Sequence, residues 1–516
     1  MTAVLEAEAI RISEQVRLDQ LKTAKDRNKW GQFATPPILS FDIAHYAWKL
    51  LKRREGLFSF FDPAFGTGSF YSAFLQVFPH DRIEAATGIE LDKPFAEAAK
   101  TIWRKEGLKV IQGDFTRQQP ATPHNLTLTN PPYVRHHHLS VEEKIRLGEL
   151  AQAVTGLKLS GLSGLYCYFL LIAHDWLADN GLAVWLIPSE FMDVNYGKVV
   201  KRYLTERVTL IQIHRFCPSD VQFDDALVSS AIVVFEKRKA KPDHTAVFSF
   251  GGTLSEPAKT ENVTLDQLRA TPKWTALPQQ GNGNGHKAAT VTLGDLFSVR
   301  RGLATGNNDF FIVPRDKLKA LGIPACFVRP ILPSPRYMPL EVIDTEADGW
   351  PAIDPQLGLI DCELSEDEIS RKYPRLAEYL EAGKQQGIHE GYLTSHRSPW
   401  YMQEKREPAP FVCTYMGRNR ERPFRFIWNR SKATVANVYL ALYPKPSIAD
   451  KVMEKAREVL EALRAIHPDH FFSQGRVYGG GLHKMEPAEL MRLPADSVAK
   501  ILGIKASHQQ KSLFDE

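Results

Sequence analysis

Residues Leu57–Phe70 read LFSFFDPAFGTGSF. An apolar run stops at an aspartate, turns through two glycines and re-enters an apolar segment. A short apolar run bounded by a turn is the pattern of a strand covered on both faces, and Ser69 to Phe78 has helical spacing. Gly66 and Gly68 let the backbone turn tightly after a strand and bring a ligand close to the peptide groups at a helix N-terminus. The same turn also serves simply to pack a helix on a sheet, and on this stretch alone both readings stand.

Moving outward, the unit repeats. LFSFF, EAATGIE, LKVIQGD, NLTLT, LAVWLIP, VTLIQIH and SSAIVVFEK are strand candidates between Leu57 and Lys237, with helical segments such as Ser69–Phe78 and Tyr166–Leu177 among them. That alternation predicts an α/β fold, a doubly wound and mostly parallel sheet of seven strands with helices on both faces. After EKRKAKPDH the pattern degrades. Residues 241–290, including PQQGNGNGHK at Pro278–Lys287, read as a linker rich in proline, glycine and polar residues. The expected organisation is a first domain over 1–240 with a helical N-terminal extension over 1–30, then a separate α+β domain over 291–516.

Composition limits the function classes. The 516 residues, 43% of them hydrophobic, support two or three ordinary cores, and 65 Lys plus Arg against 60 Asp plus Glu leave a formal charge of +5. A balance this mild permits a polyanionic partner without requiring one. Five cysteines without a CxxC pair argue against a disulfide framework or a cysteine zinc site, and a reducing cytosol is expected. No signal-peptide core and no apolar run of membrane-spanning length occurs, so no membrane partner is expected.

The strand ends carry the chemistry. The second strand ends in GIELD, placing Glu90 where a carboxylate accepts ribose hydroxyls. After the third comes QGDF, with Asp114 suited to an adenine amine and Phe115 to its ring. A lone acidic residue at a strand end is more often a cap, but three nucleoside-suited ends in succession point to one site. The fourth strand runs into NLTLTNPPYVRHHH, Asn125–His138. Two prolines fix a rigid turn in which the Asn130 amide oxygen and the Pro131 carbonyl are suited to accept both protons of an exocyclic amine. Tyr133 is suited to stack on the attached ring.

DPAFGTGSF, GIELD, QGDF and NPPY, in that order and preceded by GQFATPP at Gly31–Pro37, resemble the motif series of the gamma-class N6-adenine DNA methyltransferases of bacterial restriction–modification systems. RRGLATGNNDFF, FVRPIL and YGGGLHKMEPAELMRLP are similar to segments of such enzymes' target-recognition regions. The resemblance implies a catalytic domain over 1–240, a DNA-reading domain over 291–516, S-adenosylmethionine as cofactor and double-stranded DNA as substrate. Thr35 and Pro36 would lie near the methionine end of the cofactor and Asp62, Pro63, Phe65, Gly66 and Gly68 in its loop. Glu90 would hold the ribose, and Asp114 with Phe115 the adenine. Asn130, Pro131, Pro132 and Tyr133 would hold the flipped target base, with Phe223 on its other face. Phe169 is a weaker candidate for the pocket, core packing being the stronger expectation there.

Other chemistries are excluded or set aside by composition. A cytosine-C5 enzyme requires a nucleophilic cysteine after proline, and the chain has no Pro-Cys dipeptide. Cytosine-N4 transfer uses similar chemistry, with serine more common where Asn130 stands. Glutamine or RNA methyltransferases share NPPY but would leave the large C-terminal half without a task. Adjacent histidines His136, His137 and His138 lack ligand spacing, and no metal is expected. Lys405–Lys432 carries eight Lys or Arg among aromatic residues, a pattern suited to DNA contact or to an ordinary basic surface. QKSLF at Gln510–Phe514 resembles a sliding-clamp docking peptide. The residues ahead of GQFATPP are too few for a nuclease, so a cognate endonuclease is expected on another chain, a partner in function rather than in contact. A monomer in the bacterial cytoplasm, held at the nucleoid by DNA, completes the expectation.

Overall fold

The computed structural model describes residues 2–217, 222, 229–278, 291–419, 421–474, 476–478 and 482–504. They belong to two compact units, one comprising Met1–Gly283 with Tyr478–Gly481 and the other Asn284–Val477 with Leu482–Glu516.

In the first unit, β1 Phe58–Asp62, β2 Ile83–Glu90, β3 Leu108–Gln112, β4 His124–Thr129, β5 Leu177–Pro188, β6 Thr209–Arg215, β7 Ser230–Glu236, β8 Thr245–Gly252 and β9 Pro257–Thr264 form one sheet. Their order is β3-β2-β1-β4-β5-β7-β6-β8-β9. β1 to β5 run parallel, and β7 lies antiparallel between β5 and β6. β1 is buried throughout. Its alternate residues serve opposite faces: Phe60 stacks on Phe74 at 5.1 Å while Phe61 stacks on Trp176 at 4.6 Å. The two rings belong to separate apolar clusters, which is why an unbroken apolar run suits a strand with both faces covered. Burying one such ring stabilises the fold by about 2 kcal/mol.

The helices that matter for the site are α1 Thr2–Gln20, α2 Ala24–Trp30, α3 Pro37–Leu51, α4 Ser69–Val77, α5 Lys93–Ile102, α6 Val141–Thr155 and α7 Leu165–Ile172. α1 and α2 form the helical extension. α1 turns Val4, Arg11 and Leu18 inward, at 3%, 2% and 1% exposure, a seven-residue spacing that returns to one face after two turns. Thr23 caps α2 by accepting from the Asp26 N–H, and Gly31 ends it at φ +62°, the left-handed stop that glycine tolerates.

Two expectations change. All seven predicted strands are present, but the sheet has nine. The segment 241–290 is not a linker over its first half: β8, β9 and a helix at Leu265–Ala270 extend the sheet there. β8 buries Ala246 and Phe248, and β9 is an edge strand with most of its residues exposed. An edge strand needs little apolar content, so the sequence of β9 carried no strand signal. Residues 279–290 lie outside the described residues.

The second unit is α+β. Phe297–Arg301, Tyr439–Pro444, Phe411–Thr414, Phe426–Asn429 and Val342–Ile343 form a five-stranded sheet in that order. Val459, Leu460 and Leu463 of the helix Ala456–Arg464 share a core with Phe411 and Phe426. Lys405–Lys432 contains the strands Phe411–Thr414 and Phe426–Asn429, both almost wholly buried. Phe411, Tyr415, Phe424 and Phe426 point into the core, and Lys405, Arg406, Arg422 and Arg430 pair with Glu363, Glu404, Glu341 and Asp344.

Candidate functional site

Strand order reverses between β1 and β4, and at such a point the carboxyl ends of neighbouring strands splay to leave a crevice. A cavity of about 630 Å³ lies there. Pro63 and Gly66 follow β1, Glu90 ends β2, Asp114 and Phe115 follow β3, and Asn130 and Pro132 follow β4; all seven line it. The predicted strand ends therefore converge on one space.

The two glycines have different tasks. Gly66, at φ +57°, has nothing within 4 Å of where a Cβ would lie, and its N–H donates to Glu90 Oε2 at 2.8 Å. Gly68, at φ +95°, would place a Cβ 2.6 Å from Trp103 Nε1 and 2.7 Å from the Phe65 ring. Gly66 borders open space and Gly68 permits packing. Phe65 itself is buried beneath this turn, and a Cβ on Gly88 would meet its ring at 2.2 Å.

Glu90 accepts from Gly66 N and, through Oε1, from Asp92 N at 2.7 Å. Burial holds its carboxyl above the ordinary range, against the effect of those two bonds. Asp62 does not line the cavity. Its Oδ1 accepts from Thr129 Oγ1 at 2.7 Å and Ala64 N at 3.0 Å, tying the end of β1 to the end of β4. Burial pushes its pKa up to about 7. Asp114 caps the turn at Phe115–Arg117, accepting from Thr116 N at 2.9 Å, while still bordering the cavity. Phe115 packs on Phe169 at 5.0 Å, and Phe169 also lines the cavity, so that ring serves core and wall together.

Asn130 is the informative side chain. Its Nδ2 donates to the Phe33 carbonyl at 3.0 Å and to Thr35 Oγ1 at 3.2 Å. A backbone carbonyl only accepts, so the contact to Phe33 fixes which end of the amide is nitrogen. Oδ1 is then buried with no partner among the described residues. Leaving a buried acceptor unmet costs about 1–3 kcal/mol, a cost that a bound amine removes. Tyr133 is buried, donates to the Leu186 carbonyl at 3.1 Å and packs on Phe33 at 5.6 Å. Pro131 is buried and Pro36 is the residue that precedes α3; neither Tyr133, Pro131, Thr35 nor Pro36 borders the cavity. Phe223 lies outside the described residues.

Sequence reasoning missed the wall supplied by the N-terminal extension. Gln15, Asp19 and Lys22 from α1 and the turn after it, with Lys29 to Ala34, border the cavity. Lys22 pairs with Asp92 and donates to Gln32 Oε1 at 2.8 Å. Arg11 and Gln15 contact Thr67 Oγ1 at 3.3 Å and 2.7 Å, fastening α1 to the glycine turn. Gly31 touches the proline turn: a Cβ there would sit 2.2 Å from Tyr133 N. GQFATPP was the available signal, but it shows neither neighbour. His136–His138 form a 3₁₀ turn, His138 borders the cavity, and partial burial with its basic neighbours holds His137 below the ordinary imidazole range.

Strand ends that gather a glycine turn, a ribose-suited carboxylate and an amide on a proline corner around one cavity define the class, an S-adenosylmethionine-dependent methyltransferase. Residues 92–223 match the family model described as Eco57I restriction-modification methylase, and residues 284–515 match that of the Type II methyltransferase M.Eco57I, C-terminal domain. The chain belongs to the Eco57I family of type II restriction–modification methyltransferases. It is similar to the Type II methyltransferase M.AccI of Acinetobacter calcoaceticus, 27% identical over 90% of this chain and 85% of that one. M.XamI of Xanthomonas campestris pv. amaranthicola is also 27% identical, over 85% of this chain and 81% of that one. The type IIG restriction endonuclease BpuSI matches at a TM-score of 0.46 and 14% identity, covering 92% of this chain and 61% of that chain.

Proposed function

We propose that this protein transfers a methyl group from S-adenosylmethionine to N6 of an adenine flipped out of double-stranded DNA, protecting the host's DNA from a cognate restriction endonuclease. The observation that carries the reading is the unpartnered Oδ1 of Asn130, held at the cavity wall by a fixed amide orientation. Membership of a family of restriction–modification methyltransferases supports DNA as the substrate.

S-adenosylmethionine supplies an electrophilic methyl group when bound. Glu90 receives the ribose hydroxyls, Asp114, Phe115 and Phe169 receive the adenine, and the open side of Gly66 allows backbone approach. Ala34 lines the cavity at the methionine end, backed by Thr35, which accepts from the Asn130 amide, and by Pro36. Adenine N6 is a poor nucleophile because its lone pair is delocalised into the ring. Asn130 Oδ1 and the Pro131 carbonyl accept its two protons, which favours a pyramidal nitrogen and aims the lone pair. Extruding the base costs a few kcal/mol, and positioning with fixed dipoles supplies most of the acceleration. An asparagine at the head of the turn favours adenine over cytosine N4.

The test is transfer of labelled methyl to duplex DNA, ribosomal RNA and release factor in parallel. Incorporation into DNA alone is expected; incorporation into RNA or protein alone overturns the reading.

A further inference from the structure

Two turns of the second unit display large aromatic rings to solvent while their backbones are pinned from below. In the first, Tyr337 is 70% exposed. Its turn, Pro335–Tyr337, is held by Arg425, whose guanidinium donates to the carbonyls of Pro335 at 2.9 Å, Met338 at 2.7 Å and Pro339 at 3.4 Å. Tyr439 adds a bond to the Pro333 carbonyl at 2.8 Å. Arg336 lies 5.7 Å from the Tyr337 ring, exposed, and among the described residues no carboxylate pairs with it.

In the second turn Tyr392 is 81% exposed, with His396 Nδ1 2.6 Å from its carbonyl. Beneath it Thr394, 1% exposed, donates to the carbonyls of Ile388 and Gly391. Thr394 also lies against Gly306, where a Cβ would meet its methyl group at 3.0 Å. Arg397 donates to the carbonyls of Ala304 at 2.5 Å and Thr305 at 2.8 Å, fastening the two loops together.

The backbone brings both turns to one side. Ile331 and Leu303 each form a parallel bridge to the segment Thr434–Ala436. Chains parallel to the same segment leave it in the same direction, so the loops that follow Leu303 and Leu332 emerge at the same end. Solvating a large ring on a rigid support has no folding benefit, whereas preorganisation lowers the entropic cost of binding. A free arginine beside a ring suits phosphate and base edges, and an exposed ring suits packing against a groove wall or an opened base step.

We propose that Arg336, Tyr337 and Tyr392 form a contact surface for duplex DNA. The assignment rests on the reading of this protein as a DNA methyltransferase. These side chains set the affinity for DNA and leave cofactor binding and the chemical step alone.

The test uses the full chain carrying Arg336→Ala, Tyr337→Ala and Tyr392→Ala, singly and together, with unmodified bacterial chromosomal DNA and labelled S-adenosylmethionine. Each single variant should raise the KM for DNA about tenfold, with the KM for the cofactor and the melting temperature unchanged. Arg336→Ala should also lower the slope of log KM against log salt by about one, with Arg336→Lys restoring part of it. An unchanged KM for DNA in the triple variant, with an active wild type, overturns the surface. A wild type that transfers nothing to DNA overturns instead the reading on which it rests.

Discussion

At the scale of single residues, the site depends on groups whose hydrogen bonds are incomplete or costly. Asn130→Ala removes the acceptor and leaves the cavity otherwise intact. Methyl transfer should fall at least 10²-fold in kcat, as when an oriented dipole is removed from other active sites, while cofactor binding measured by titration stays within about threefold. Near-normal transfer would remove the mechanism. Asp62 makes a different prediction. Its folded pKa, about 7, lies above the ordinary carboxylate value of about 4. The folded state therefore holds its proton more tightly, and the stability this contributes is full below about pH 4 and lost as pH rises through 7. Asp62→Asn, which has no charge to bury, should gain in melting temperature relative to wild type as pH is raised from 5 to 8. A constant difference across that range would contradict the burial argument.

At the scale of elements, the N-terminal helices are part of the cavity rather than an appendage. Lys22 reaches Asp92 across 70 residues of sequence, and Arg11 and Gln15 reach Thr67. Lys22→Ala should weaken cofactor binding several-fold by removing a partly buried charge pair, with kcat at saturating cofactor little changed. An equal loss in kcat would instead place Lys22 in the chemistry. Gly31→Ala forces a Cβ into the backbone of Tyr133 and should lower transfer through the proline turn even though residue 31 bears no reactive group. This is also where legibility ended. Seven strands and the ends that line the cavity were readable because apolar runs, glycine turns and proline corners are local signals. β9 was not, because the edge strand's side chains are mostly exposed and polar. The wall from α1 was not, because nothing in Gln15, Asp19 or Lys22 tells which distant strand end it will face. The aromatic residues of Lys405–Lys432 were ambiguous for a related reason: a run of aromatic and basic residues does not show which rings turn into the core, as Phe411, Tyr415, Phe424 and Phe426 do.

At the scale of the whole molecule, a methyltransferase sheet and a separate α+β unit make up the chain. The family models match part of each unit. In the proposed mechanism base identity rests on the first unit, where Asn130 stands at the head of the turn. The most direct measurement is mass spectrometry of nucleosides from the DNA of a methylation-deficient host expressing the chain. The account predicts N6-methyladenine, absent when Asn130→Ala is expressed in its place. N4-methylcytosine with no N6-methyladenine would contradict it.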